Sequence, residues 1–235
     1  MSEFVRTIRA VLAKDLISEL RNRQLVPTMI MLGVLIAWIL RIATESMEAN
    51  AAPACAAVLV TLLFSAILAC ERSFAVEQHN DCISSLLVSP ADAGTIYLAK
   101  LLANLLWLCL FEIVTVPVIL VLFKAAPGGG WWRFVGVLML CNVAVCSVGT
   151  LLGAVVQQTQ GAGSLLSVVA MAALCPMMLP AVSTLLVVFA SAEQGGNVGL
   201  LNLIGDFGSG AGYLVAFDAV FVTVCWLLFG FVVRE

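Results

Sequence analysis

The chain has 235 residues, 63% of them hydrophobic and 11% charged, with a formal net charge of −3 and a mean hydropathy of +1.12. A water-soluble domain carries about 25% charged residues, so this chain cannot cover a water-facing surface and its solvent is lipid. The length suits one compact membrane domain and leaves no room for an additional soluble catalytic domain.

Residues 1–24 place Phe4, Val5, Ile8, Val11, Leu12, Leu16 and Leu20 at helical spacing, with Arg6, Arg9, Lys14, Arg21 and Arg23 among them. The pattern predicts an amphipathic helix in the headgroup layer, apolar face in the acyl boundary and cations toward anionic lipid. It lacks an uninterrupted apolar core, so no cleavable signal peptide is expected. Pro27 breaks the direction. Six apolar runs follow, at about 27–43, 52–70, 100–123, 134–156, 164–190 and 212–233, each near the roughly 20 residues that cross about 30 Å of hydrocarbon. Residues 25–235 are thus read as one six-span domain, all-α and integral to the membrane. The fifth run holds Pro176 and Pro180, which can kink it or split it.

Basic residues resist translocation and so set orientation. With the N-terminus inside, the inner side collects Arg6, Arg9, Lys14, Arg21, Arg23, Arg72, Lys100 and Arg234, and the outer side Arg41, Lys124 and Arg133. The 44–51 and 191–211 loops, both outer, hold only acidic charges: Glu45, Glu48, Glu193 and Asp206. Both termini are therefore expected in the cytoplasm. The longest polar stretch, about 71–99, lies on that side and contains Glu71, Arg72, Glu77, His79, Asp81 and Asp92. On the other side, KAAPGGGWWR (124–133) pairs a glycine run with Trp131 and Trp132, indoles suited to the headgroup level. Val198 to Ile204 forms an apolar patch that reads as a short interfacial helix.

Enzyme signatures are missing from these 235 residues. There is no GxxxxGK[ST] loop for phosphates, and one histidine, His79, makes zinc or haem held by paired histidines unexpected. Cys55, Cys70, Cys82, Cys109, Cys141, Cys146, Cys175 and Cys225 form no CxxC or Cys/His cluster, and most are read as small hydrophobes within apolar runs. Glu112 and Asp218 lie inside spans, where a charge costs a few kcal/mol or more. They read as a polar lining or proton-coupled site, or else as neutral carboxyls bonded to a neighbouring helix. Asn104, Asn142, Gln157 and Gln158 read as interhelical bonding groups. Gly149 and Gly153 make a GxxxG match, and Gly161, Gly163, Ser164 and Ser167 continue a small-residue series; these suit close packing within the chain or against a second copy.

The second run ends in LLFSAILACER, then a short amphipathic stretch leads to Leu86, Leu87, Val88, Ser89 and Pro90 and a return at Lys100. A transporter driven by an external ATPase needs such a cytoplasmic feature to dock on the motor; an ordinary solvated loop is the plainer reading. Glu71-Arg72 with Phe74, Leu86 to Pro90, and Leu98-Ala99-Lys100 resemble the CcmB family pattern E-R-x-F, L-x-x-S/L-P and L-A-K. Gly161-Ala162-Gly163-Ser164-Leu165-Leu166-Ser167 with Pro176 is similar to that family's fifth span, and the resemblance runs along essentially the whole chain. Two departures stand out. Asn80, Asp81 and Ser84 replace an acidic-glycine pair and a glutamate, and Gln158, Thr159 and Gln160 replace basic residues.

The resemblance implies an ABC-2 exporter-type permease without its own ATPase, multi-pass in the bacterial inner membrane, serving haem export or haem-chaperone release in c-type cytochrome biogenesis. Its implied partners are a cytoplasmic CcmA-like ATPase, CcmC- and CcmD-like membrane subunits and, indirectly, a periplasmic CcmE-like haem chaperone, besides the lipid bilayer; nucleic acid is not among them. Haem is then the cargo of the complex and ATP the ligand of the partner subunit, with no cofactor held by this chain. The coupling residues implied are Glu71, Arg72, Phe74, Leu86, Leu87, Pro90 and Lys100. A generic ABC-2 permease for a lipid, drug or polysaccharide shares the architecture. A proton-coupled secondary transporter predicts inverted repeats, which the two halves do not display.

Overall fold

The computed structural model describes residues 3–22, 25–45, 51–79, 93–128, 130–158, 163–190 and 207–232. Lipid offers no partner to backbone N–H and C=O groups, so a spanning segment must satisfy them internally. Accordingly, the described residues form seven helices and no strand: α1 (Glu3–Asn22), α2 (Leu25–Ala43), α3 (Ala51–His79), α4 (Ala93–Phe123), α5 (Trp131–Gln158), α6 (Gly163–Ala190) and α7 (Phe207–Val232). Helices α2 to α7 are each long and apolar enough to cross a membrane, which makes the chain a multi-pass membrane protein.

In α1, Ile8, Val11 and Leu12 are half-buried while Arg6, Arg9 and Lys14 are exposed, and the helix packs against α4. Pro27 falls in the first turn of α2 rather than ahead of it, a position where the missing N–H has no intrahelical partner to lose. Both Pro176 and Pro180 lie within the continuous helix α6. The expected patch at Val198 to Ile204 lies outside the described residues.

Two helix starts differ from the hydropathy reading by five residues or more, each for a physical reason. α4 begins at Ala93, ahead of Lys100, because Lys100 is 2% exposed and is covered by protein. Its charge therefore does not mark the edge of the helix. α7 begins at Phe207, and its glycine-rich start GSGAG is helical; glycine is tolerated in membrane helices because only intrahelical bonds can satisfy the backbone there.

α3 and α5 form the centre of the bundle. α5 packs on α3, α4, α6 and α7, and α3 on α2, α4, α5 and α6. Of their apolar windows 72% and 61% are buried, against 17% for α2 and 22% for α7, so the last two helices give most of their surface to lipid. Phe111, Phe134, Phe189, Leu108 and Met177 fill the core, with Phe134 edge-on to Phe189 at 5.6 Å between centroids.

The loop joining α4 to α5 fixes one end of the bundle. Lys124 turns the chain with φ 51° and Gly130 with φ 102°, left-handed conformations that glycine adopts at no steric cost. Arg133 lies over the Phe207 ring at 5.3 Å, and Arg41 over Phe123 at 6.0 Å. These contacts bring the last turns of α2 and α4 together with the first turns of α5 and α7. Trp131 and Trp132 are 58% and 90% exposed here, as membrane-interface indoles are.

Candidate functional site

The four helix ends at Trp131 allow depth to be counted. Glu112 precedes Phe123 by 11 residues, Asn142 follows Trp131 by 11, and Asp218 follows Phe207 by 11. At 1.5 Å per residue all three sit about 16 Å below that end, near the middle of a hydrocarbon layer of about 30 Å. They also converge laterally, because α4, α5 and α7 pack on one another. Asn142 Nδ2 donates to Glu112 Oε2 at 2.7 Å. Cys141, the neighbour of Asn142, stands within electrostatic reach of both Glu112 and Asp218. Glu112 and Asp218 are each 7% exposed and Asn142 is 0%.

Three oxygens in this layer have no hydrogen-bond partner among the described residues: Glu112 Oε1, Asn142 Oδ1 and Asp218 Oδ2. The two intramembrane carboxyls lie at one depth, and Asn142 bonds one of them, Glu112; sequence reasoning left that pairing unread. The register offered the missing signal, since Glu112 and Asn142 lie equally far from the short loop between their helices.

A second polar layer lies deeper. Asn104 and Thr150 are each 19 residues from the Trp131 end, and Asn104 Nδ2 donates to Thr150 Oγ1 at 3.2 Å and to Cys70 Sγ at 3.8 Å. Tyr97 reaches the Ser147 carbonyl at 3.3 Å and packs on Phe229 at 5.4 Å. In this layer Gly149 lets α5 close on α3. A Cβ there would lie 2.5 Å from Cys70 Sγ, so Gly149 serves packing within the chain. Gly153 is buried on the same helix and Gly163 opens α6, while Gly161 lies outside the described residues.

At the end opposite Trp131, α3 does not stop with its apolar span. The apolar span closes at Cys70 and the helix runs on to His79, so Glu71, Arg72 and Phe74 ride on about 13 Å of helix beyond that span. Lys100, on the second turn of α4, lies 23 residues from the Trp131 end, about 34 Å away and at the opposite headgroup level. Leu86, Leu87 and Pro90 lie outside the described residues. A groove along α2 is lined by Thr28, Ile30, Met31, Leu32, Val34, Leu35 and Trp38, none of them charged.

The family model described as CcmB protein matches residues 6–223. The chain belongs to the CcmB family. No curated protein matches it. CcmB proteins are permease subunits of the haem-export ABC transporter of cytochrome c biogenesis, and are not enzymes in themselves. The match takes in most of the amphipathic α1, all of α2 to α6, and α7 as far as Thr223, so both carboxyls lie inside the CcmB unit.

Proposed function

We infer that this CcmB chain relays force from a separate ATP-hydrolysing subunit into the membrane, in the inner membrane and with both termini cytoplasmic. The observation that carries this reading is the extension of α3 past its span. A continuous helix transmits displacement along its axis because each turn is bonded to the next. A motor subunit bound at Glu71, Arg72 and Phe74 therefore acts directly on the central helix of the bundle. The stretch with Leu86, Leu87 and Pro90 completes the docking surface, and Lys100 anchors the return.

The cargo of the complex is haem. The residues favour force relay over conduction by this subunit, since the chain has one histidine, His79, at the ATPase side, and the α2 groove has no cation to meet a propionate. A CcmA-like ATPase, CcmC- and CcmD-like membrane subunits and a CcmE-like chaperone downstream are the partners that this role requires.

The test is Glu71→Lys in the intact complex. The variant is expected to insert normally, yet to lose ATPase-subunit co-purification or to hydrolyse ATP without producing holocytochrome c. Wild-type assembly and cytochrome yield would reduce the α3 extension to a solvated helix end. Haem co-purifying stoichiometrically with this subunit alone would overturn force relay in favour of conduction.

A further inference from the structure

The mid-membrane layer raises a problem of charge and of donors. Glu112 is buried between α4 and α5, and among the described residues no lysine or arginine faces it. The titratable groups in its surroundings are Cys109 on its own helix and Cys141 and Cys146 on α5, with Asp218 of α7 beyond Cys141. Every one is neutral or adds negative charge. An ionised carboxylate in hydrocarbon costs several kcal/mol or more without a paired cation, and here it would hold one hydrogen bond.

The unpartnered atoms indicate the remedy. Asn142 presents two donors and one acceptor oxygen, and an ionised glutamate only acceptors. With Nδ2 bonded to Glu112 Oε2 at 2.7 Å, the atoms left over are Glu112 Oε1 and Asn142 Oδ1. Two acceptors cannot bond to each other. A proton on Oε1 makes that atom a donor, and the acceptor that matches it is the other side of the same carboxamide. The pair then closes as a cyclic acid–amide dimer, N–H to Oε2 on one side and O–H to Oδ1 on the other. A single proton removes the charge and satisfies both atoms.

We propose that Glu112 and Asn142 form a proton-binding site at the middle of the membrane, in which one proton held between Glu112 Oε1 and Asn142 Oδ1 fastens α4 to α5. The ligand is the proton itself, and the packed arrangement of these two helices is the state that binds it. Parting α4 from α5 opens the dimer and leaves the proton on a Glu112 carboxyl that has lost its acceptor. This site stands on its own atoms and does not depend on how the complex uses ATP.

The test is infrared absorption of the full chain in lipid nanodiscs at neutral pH, in an Asp218→Asn background so that one buried mid-span carboxyl remains. The expected spectrum has a protonated-carboxyl C=O band that moves in D2O. Asn142→Leu should shift that band to higher frequency as its hydrogen bonds are lost, and adding Glu112→Gln should abolish it. Absence of the band, or its survival in the Glu112→Gln chain, overturns the proposal. Should the glutamine variant fail to fold, the Asn142→Leu spectrum decides alone: a shift supports the site, and an unmoved band sinks it.

Discussion

Replacing Glu112 by glutamine exchanges an O–H for an amide N–H donor, and that near-identity makes a sharp stability test. The introduced carboxamide would accept from Asn142 Nδ2 and donate to Asn142 Oδ1, copying the neutral acid. Glu112→Gln is therefore expected to unfold within about 1 kcal/mol of wild type, the scale of one interhelical hydrogen bond in a membrane. Asn142→Leu leaves the carboxyl with no partner and is expected to cost more, about 1–3 kcal/mol; thermal unfolding in one detergent ranks the two. Glycines give a second contrast. Gly149→Ala drives a methyl to 2.5 Å from Cys70 Sγ and should destabilise by about 1–3 kcal/mol through overpacking. Adding Cys70→Ala removes the clashing sulfur and should restore part of that loss, as a non-additive double-mutant cycle. Gly136→Ala, where a Cβ meets nothing within 4 Å, should be neutral or stabilising by up to about 1 kcal/mol through helix propensity.

Among the helices, α6 stands out for its prolines. Each proline removes one backbone N–H, so Pro176 leaves the Ala172 carbonyl without its usual donor and Pro180 does the same to the carbonyl of Pro176. The hydroxyls nearby bond other carbonyls: Ser183 and Thr184 both reach the Pro180 carbonyl, at 3.0 and 2.6 Å. The central turns of α6 therefore carry two gaps in their ladder, whereas the core of α5 is unbroken. Amides from 177 to 184 are expected to exchange with deuterium faster than those from 141 to 150, and Pro180→Ala should narrow the difference; equal rates would show that packing against α3, α5 and α7 compensates fully. Periodicity and run length made these elements legible in the sequence, down to the amphipathic pattern of α1. Boundaries were less so wherever a charge or a glycine run stood inside a helix, as at Lys100 and Gly208, because burial by other helices cannot be read from one segment. The carboxyls were legible as anomalies, and the depth Glu112 shares with Asn142 can be counted from their loop, but the depth of Asp218 follows from the start of α7 at Phe207, which hydropathy misplaced.

For the whole molecule, orientation decides which layer faces which compartment. Three arginines or lysines (Arg41, Lys124 and Arg133) lie near the Trp131 end, against eight assigned to the other side. Two of the three are occupied at aromatic rings: Arg41 lies over Phe123 and Arg133 over Phe207. The bias toward N-in is the count of eight against three. It depends on α1, however, which with the residue after it supplies five of the eight. Alkaline phosphatase needs disulfides that form only in the periplasm, so a fusion within 125–128 is expected to be active and one after Glu235 inactive. Replacing Arg6, Arg9, Lys14, Arg21 and Arg23 by glutamine leaves Arg72, Lys100 and Arg234 against the same three, and the two fusions should then give mixed activity. If the wild-type fusions report the reverse, the α3 extension would lie outside the cell, away from ATP, and the force-relay reading would fall with it. The proton site would survive that result, since its depth is near the middle of the membrane from either side.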